Sequence, residues 1–196
     1  KMGNHNSTNE VTWRRHYHLP SLGDFTKMRV LITGSGGFVG RATCNYLGGL
    51  VFEVITFDIM NGNQDITNIQ TLERVVEETK PQRILHLAAT ARFSDAKRNP
   101  QRAMNTNWKG TEFVALISRK YHIPVVYSST GTVYMPIFKE MPITEDFPVD
   151  EQISTYGHGK RLGELEVMQR CNPWIILRYG HLFGADKRYH GLVGGI

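Results

Sequence analysis

Two residues with complementary acid–base chemistry stand four positions apart in the segment Tyr156-Gly-His-Gly-Lys160. On a helix this spacing places both side chains on one face, with Cβ atoms about 5–6 Å apart. A phenol with its ordinary pKa of about 10 is a poor base at neutral pH, but a neighbouring ammonium group favours the phenolate. The pair could therefore act as an acid and base on a hydroxyl or carbonyl group, although the same spacing also occurs on helices where it is purely structural.

Three hydroxyl side chains, Ser128-Ser129-Thr130, follow an apolar segment that begins at Pro124. That segment is predicted to be a strand, and ligands of parallel sheets bind at the C-terminal ends of the strands. A hydroxyl group there could hydrogen-bond a substrate oxygen as its charge changes. A capped turn would explain the same three residues without any chemistry.

A cluster of glycines separates the apolar run 30–32 from a segment of helical composition, 41–47. Its members are Gly34, Gly36, Gly37 and Gly40. A strand, a tight glycine turn and a helix in this order can hold the pyrophosphate of a dinucleotide on the helix N-terminus. Asp58, at the end of the next predicted strand, could then bind a ribose. An ordinary strand–helix turn with surplus glycines is the alternative.

The elements that must position these groups alternate along the chain. Strands are predicted over 30–32, 52–57, 83–89, 124–128 and 174–178, and helices over about 99–121 and 155–170. A further helix is predicted to begin at a capping box of Thr67 and Gln70 and to end before Pro81. Alternating strands and helices predict an α/β fold with a doubly wound parallel sheet of the Rossmann type.

The composition suits one domain of 196 residues with a buried core. The formal charge of +5 is mild and fits a site for an anionic nucleotide, so no nucleic-acid partner is expected. Apolar runs of membrane-spanning length and a signal-peptide core are both lacking in the sequence, which predicts a cytoplasmic protein without a membrane partner. Cys44 and Cys171 lie far apart and fit a reducing compartment as small buried side chains.

The first 28 residues precede the predicted domain and contain the basic, aromatic stretch 13–18. This stretch could be an interaction arm, or His16 and His18 could bind a metal ion. A flexible extension is the simpler interpretation and the preferred one, so no metal site is expected.

Taken together, the motifs resemble the extended short-chain dehydrogenase/reductases, specifically their NAD-dependent nucleotide-sugar epimerase and dehydratase group, and most closely the UDP-glucose 4-epimerases. The matching segments follow family order from residue 29 to about 184. They are 33–40, Asp58, Asp65-Ile66, 86–89, Asn107 with Gly110-Thr111, 128–134, Tyr156 with Lys160, and 177–184.

The resemblance implies roles for individual residues. The catalytic residues would be Thr130, Tyr156 and Lys160. The NAD-binding residues would be Gly34, Gly37, Phe38, Val39, Asp58, Asp65, Ile66, Leu87, Ala88, Ala89, Asn107, Ser128, Tyr156, Lys160 and Tyr179. The substrate would be bound by Thr130 and His181, although His181 could equally be a loop residue. Asp58 would favour NAD over NADP, because a carboxylate repels a 2′-phosphate.

The resemblance also implies an activity, a 4-epimerase acting on a nucleotide sugar through a keto intermediate, with Tyr156 as acid and base. Thr130 is followed by Gly131 and Thr132, where dehydratases have a carboxylate pair, so dehydration is not expected. The short connection from Asp58 to Asp65 is closer to the 4-keto-sugar reductases, which makes an NAD(P)H-dependent reductase the alternative. A dinucleotide-binding module without turnover is an alternative of another class.

The motifs predict a division of the chain into three parts. Residues 1–28 would be an N-terminal extension, residues 29–184 an NAD-binding Rossmann domain, and residues 185–196 the start of a truncated substrate lobe. Relatives in the family commonly form homodimers through helices that correspond to about 100–120 and 155–170, so a homodimer is expected here.

Overall fold

The computed structural model describes residues 27–134, 142–149 and 154–184. The predictions for His16, His18 and the rest of the N-terminal extension up to residue 26 lie outside the described residues. So does the prediction that a substrate lobe begins within residues 185–196.

Five parallel strands form one sheet. The strands are β1 (Met28–Thr33), β2 (Phe52–Phe57), β3 (Arg83–His86), β4 (Val125–Thr130) and β5 (Trp174–Tyr179). The helices are α1 (Phe38–Gly48), α2 (Ile69–Thr79), α3 (Phe93–Arg98), α4 (Pro100–Met104), α5 (Gly110–Tyr121) and α6 (Thr155–Arg170). A π-helical turn (Asn105–Lys109) joins α4 to α5, and a 3-10 turn (Gly131–Tyr134) follows β4.

The strand order β2-β1-β3-β4-β5 explains why the sheet is wound on both faces. The connection through α1 leads from β1 to its neighbour β2 at the edge of the sheet. The connection through α2 leads in the opposite direction, from β2 past β1 to β3, and the later connections continue that way to β4 and β5. Because parallel crossovers are right-handed, these two directions place α1 on one face and the later helices on the opposite face. The predicted doubly wound parallel sheet is confirmed, and its direction reverses between β1 and β3, which is where such sheets bind ligands.

The main core lies under α2, α5 and α6. Leu31, Phe57, Ile84 and Val125 contribute from four strands, and Leu72 contributes from α2. On α2, Val75 and Val76 are also buried, three and four positions after Leu72, so one stripe of the helix faces the sheet. This packing fixes the strand ends from which the site is built.

Local structure departs from the sequence predictions at three places. Asn68, not Thr67, caps α2, because the Thr67 hydroxyl donates to Asp65 while the Asn68 side chain accepts from the Thr71 amide. The predicted strand 83–89 ends at His86, so residues 87–89 belong to the following loop. The helix predicted over 99–121 begins at Pro100 as expected but contains the π-helical turn.

Candidate functional site

A cleft of about 1610 Å³ lies at the C-terminal ends of the strands. Of the residues predicted to bind cofactor or substrate, all but one line it. Those that line the cleft are Gly34, Gly37, Phe38, Val39, Asp58, Asp65, Ile66, Leu87, Ala88, Ala89, Ser128, Thr130, Tyr156, Lys160, Tyr179 and His181. Asn107 does not line it. The fold therefore brings together segments that are up to 147 positions apart in the sequence, from Gly34 to His181.

The glycine turn between β1 and α1 forms one wall of the cleft. Gly34 has φ +71°, and a Cβ atom there would lie 2.5 Å from the Ala88 backbone nitrogen, so only glycine fits this position. No side chain caps the N-terminus of α1, where Gly37 is the capping residue. An uncapped helix N-terminus behind a close-packed turn suits an anionic group such as a phosphate.

Asp58 follows β2 directly, and two backbone amides hold its carboxylate. Oδ2 accepts from the Gly36 amide at 3.0 Å and Oδ1 accepts from the Met60 amide at 3.0 Å. Each carboxylate oxygen can accept more than one hydrogen bond, and the residue is only partly buried. The arrangement can therefore accept hydroxyl donors from the cleft.

Asp65 and Ile66 continue the wall beside Asp58. The Asp65 carboxylate accepts from both the amide and the hydroxyl of Thr67, at 2.9 and 2.8 Å. Ile66 is 5% exposed and packs on Gly110. A Cβ atom added at Gly110 would lie 2.8 Å from Cγ2 of Ile66. A flat apolar group entering here would meet a fixed surface.

A buried network lies behind the loop 87–90. The Thr33 hydroxyl lies 2.6 Å from Nδ1 of His86, and Nε2 of His86 lies 3.0 Å from the Thr111 hydroxyl. Since that hydroxyl donates to the Asn107 carbonyl at 2.7 Å, it accepts from the imidazole, which assigns the proton to Nε2. Burial, followed by the nearby charge of Lys160, lowers the pKa of His86 to about 3, so the ring is neutral.

Asn107 belongs to this network. Its side chain is fully buried, its Oδ1 accepts from the Thr90 amide at 2.8 Å, and its Nδ2 donates to the Thr90 carbonyl at 3.3 Å. Asn107 lies within the π-helical turn, a distortion that is frequent at functional sites. Asn107 therefore holds Thr90 in the loop that lines the cleft, and its predicted role in binding NAD stays a prediction.

Lys160 lies at the opposite end of the cleft from Asp58, behind the end of β4. Its ammonium group donates to the Ser128 carbonyl at 2.7 Å and lies 4.9 Å from the centre of the Tyr127 ring. The residue is 1% exposed, and burial lowers its pKa to about 7, while the charge of Glu164 acts in the opposite direction. A small change in its surroundings can therefore change its charge near neutral pH.

Thr130 and Tyr156 complete this end of the cleft. Thr130 ends β4 and is 7% exposed, and its hydroxyl lies 3.1 Å from that of Thr132. Tyr156 stands in the first turn of α6, which Ser154 caps by accepting from the Gly157 amide. A phenol, an ammonium group and an alcohol thus occupy one region of the cleft.

Tyr179 and His181 close the cleft on the side of β5. Tyr179 is paired in register with Thr130, and burial raises the pKa of its phenol. His181 lies in the exposed segment beyond β5.

A charged cluster next to the site was not predicted from the sequence. Glu164 is fully buried and accepts from Ser129, Arg161 and Arg178. Burial alone would raise the pKa of Glu164, but these hydrogen bonds outweigh it and lower the pKa. One feature of the sequence could have indicated this cluster: Glu164 stands four residues after Lys160, so both side chains lie on the same helix face.

The described residues contain neither a candidate metal centre nor a membrane-spanning helix. In residues 27–134, 142–149 and 154–184, histidine, cysteine and carboxylate side chains do not form a group of three that could hold a metal ion. In the same ranges, no helix combines the length and apolar character needed to cross a membrane.

Comparison with known proteins identifies one matching family and several similar enzymes. The sequence profile described as the RmlD substrate binding domain matches residues 28–193. A dTDP-4-keto-6-deoxy-D-glucose reductase of Streptomyces niveus is 31% identical over 165 residues, covering 84% of this chain and 54% of that protein. A UDP-glucose 4-epimerase of Bacillus subtilis (strain 168) is 26% identical over 184 residues, covering 81% of this chain and 54% of that protein.

Solved structures give the same picture. A dTDP-4-dehydrorhamnose reductase from Bacillus anthracis in complex with NADP superposes with a TM-score of 0.75 at 30% identity, over 83% of this chain and 56% of that one. A UDP-glucose 4-epimerase from Thermus thermophilus in complex with NAD superposes with a TM-score of 0.76 at 25% identity, over 85% and 60% of the two chains. This chain spans about half the length of the curated relatives it matches.

These matches confirm the resemblance of the motifs to the nucleotide-sugar epimerase and dehydratase group of the extended short-chain dehydrogenase/reductases, and the matched proteins include reductases as well as 4-epimerases. Because the profile covers most of the chain and the cleft lies where the fold predicts a ligand, this chain belongs to the RmlD substrate binding domain family.

Proposed function

We propose that this chain is the dinucleotide-binding part of an NAD(P)-dependent enzyme that oxidises or reduces C4 of a nucleotide sugar. The observation that carries the proposal is the meeting of Tyr156, Lys160 and Thr130 in the same cleft as the glycine turn. The matched proteins, both 4-epimerases and 4-keto-sugar reductases, support this chemistry.

The residues of the cleft fit a nicotinamide dinucleotide. Gly34, Gly37, Phe38 and Val39 would receive the pyrophosphate at the uncapped N-terminus of α1. Asp58 would accept the hydroxyl groups of the adenosine ribose, and Asp65 with Ile66 would flank the adenine. Leu87, Ala88 and Ala89 would lie beneath the cofactor. When bound, the cofactor would supply or accept a hydride.

Tyr156 would carry the proton in the reaction. In the oxidising direction its phenolate accepts the proton of the sugar hydroxyl, and in the reducing direction the phenol returns it. Lys160 would favour the phenolate through its charge and hold the nicotinamide ribose. The hydroxyl of Thr130 would hydrogen-bond the reacting sugar oxygen, which keeps it oriented toward Tyr156.

A 4-epimerase is the first form of this proposal. It would use the three residues twice, once to oxidise the sugar and once to reduce the keto sugar from its other face. The residues after Thr130 support this form over a dehydratase, since Gly131 and Thr132 lack a carboxylate. Ser128 to Tyr134 also resembles the corresponding epimerase segment.

A 4-keto-sugar reductase is the second form, and the connection after β2 favours it. Asp58 leads to α2 without an additional strand, so β2 is an edge of the sheet. The match to the RmlD profile and to the reductase of Streptomyces niveus supports the same alternative. The reductase would use Tyr156 once, as the acid that protonates the new hydroxyl group.

The test is an assay of the full-length protein with UDP-hexoses and with a dTDP-4-keto-6-deoxy sugar. Interconversion of UDP-hexose isomers without net consumption of nicotinamide cofactor would support the epimerase. Reduction of the keto sugar with stoichiometric loss of NADH or NADPH would support the reductase and exclude the epimerase. Binding of NAD without turnover of any sugar nucleotide would contradict both and favour a non-catalytic module.

A further inference from the structure

The buried carboxylate of Glu164 connects three elements next to the proposed site. Its Oε1 accepts from the Ser129 hydroxyl at 2.6 Å and from Nε of Arg178 at 2.8 Å. Its Oε2 accepts from Nη2 of Arg178 and from Nη1 of Arg161, both at 2.8 Å. Glu164 on α6 therefore holds the end of β4 and fixes the guanidinium group of Arg178 on β5 by a two-pronged ion pair.

The third nitrogen of that guanidinium group faces a different part of the chain. Nη1 of Arg178 donates to the hydroxyl of Tyr134 and, at 3.0 Å, to the backbone carbonyl of Glu145. The Tyr134 hydroxyl lies 3.4 Å from the same carbonyl, and the Tyr134 ring meets Phe147 edge-on with centres 6.3 Å apart. Four hydrogen bonds of Arg178 therefore go to protein acceptors, which leaves it poorly placed to bind a substrate phosphate.

These contacts anchor the segment 142–149 to the sheet. Its first residues, Pro142 and Ile143, line the cleft. The anchor Tyr134 stands four residues after Thr130, so the segment borders the end of the cleft that holds Thr130 and Tyr156, away from Asp58. Pro142 and Ile143 therefore form part of the cleft wall at this end.

We propose that Glu164, Arg178 and Tyr134 form a clamp that holds residues 142–149 as the wall against which the sugar ring of the substrate packs. The inference rests on the proposed function and extends it to the substrate end of the site. Arg178 acts here as a positioning residue: it fixes the wall through Glu145 and does not touch the reacting atoms. Lysine cannot replace it, because a single ammonium group cannot reach both the Glu164 carboxylate and the Glu145 carbonyl in this geometry.

The chain offers a matched control for this clamp. Arg161, the residue after Lys160 on α6, also binds Glu164 but does not line the cleft, and among the described residues it has no hydrogen bond or ion pair with 142–149. Arg178→Lys and Arg161→Lys each remove one guanidinium partner of the same carboxylate. Only Arg178→Lys also removes the link to Glu145.

The experiment compares the full-length wild-type protein with Arg178→Lys, Tyr134→Phe and Arg161→Lys. Hydrogen–deuterium exchange of the peptide covering 142–149 should rise at least tenfold in the first two variants and stay within twofold of wild type in the third. In the same two variants, KM for the sugar nucleotide should rise at least tenfold, while the Kd for NAD stays within twofold. Tyr134→Phe serves as the milder variant in case Arg178→Lys does not fold.

The outcomes separate this inference from the proposed function. Unchanged exchange in a folded Arg178→Lys or Tyr134→Phe protein would overturn the clamp. Faster exchange with an unchanged KM would show that the anchored segment is not the wall of the sugar site, and that too would overturn the inference. A wild-type protein that turns over no sugar nucleotide would instead refute the proposed function, whereas the exchange measurement would still decide whether the clamp anchors 142–149.

Discussion

Tyr156, Lys160 and Glu164 lie four positions apart on one face of α6, and each meets a different part of the site. Tyr156 lines the cleft, Lys160 donates to the Ser128 carbonyl, and Glu164 binds Ser129. The same helix therefore supplies the proposed acid and base, its cationic neighbour and an anchor for the end of β4. At the residue scale, the proposed chemistry depends on the first of these three side chains.

Replacing Tyr156 by phenylalanine removes the proposed proton carrier while keeping the ring. We expect kcat to fall about 10²- to 10⁴-fold, because a positioned acid or base contributes a factor of that size. The Kd for NAD, measured by titration, should change far less than kcat, since the Tyr156 phenol is one of many proposed cofactor contacts and the glycine turn and Asp58 are intact. Tyr121→Phe is the control, because the Tyr121 phenol binds Glu77 outside the cleft. An equal loss of activity in both variants would refute the role of Tyr156 as the proton carrier.

His86 should make the folded protein sensitive to acid. Its pKa is about 3 in the folded state against an ordinary value of 6.5, so between these pH values the unfolded chain binds more protons. The contribution of His86 to the free energy of unfolding therefore decreases as pH falls below 6.5, by up to about 1.4 kcal/mol per pH unit. Urea unfolding at several pH values should show a flatter pH dependence in His86→Gln than in wild type, and equal slopes would refute a buried neutral imidazole.

At the scale of elements, the sequence predicts those features that depend on local chemistry. The strand 52–57 and the helix 155–170 have the predicted bounds, because alternation and helical composition are visible in short windows. The burial of Asn107 against Thr90, the short helix α3 and the pairing of Glu164 with Arg178 are not visible in short windows. The two pairings depend on which loops and strand ends lie side by side, and that is decided by the packing of distant segments.

The glycine turn is an element whose shape tolerates little change. Gly34→Ala should lower the free energy of unfolding by at least the roughly 1–3 kcal/mol that a strained backbone conformation costs, because the residue has a positive φ and its Cβ would meet Ala88. Affinity for NADH should fall as well. Gly48→Ala is the matched control on α1, since a Cβ there meets nothing within 4 Å, and chemical denaturation of both variants measures the difference.

A Gly34→Ala variant as stable as its control would contradict the requirement for glycine at this turn. Equal unfolding midpoints for Gly34→Ala and Gly48→Ala would show that the close contact between the loops after β1 and β3 is not required.

At the scale of the whole molecule, the predicted homodimer remains a proposal. The outer sides of α5 and α6 expose Leu116, Leu165 and Met168, each between 36% and 37% accessible. Leu165→Glu places a charge among these exposed apolar side chains and should shift the protein to a monomer in analytical ultracentrifugation. Leu50→Glu, at an exposed position beyond α1, should not, and a wild-type monomer would refute the dimer.

A crystal structure of the protein with NAD bound would show how one ligand spans the cleft. We predict that the adenosine ribose contacts Asp58, that the pyrophosphate lies against the glycine turn, and that the nicotinamide lies beside Tyr156, Lys160 and Thr130. NAD bound elsewhere, or with its nicotinamide remote from these three side chains, would contradict the account.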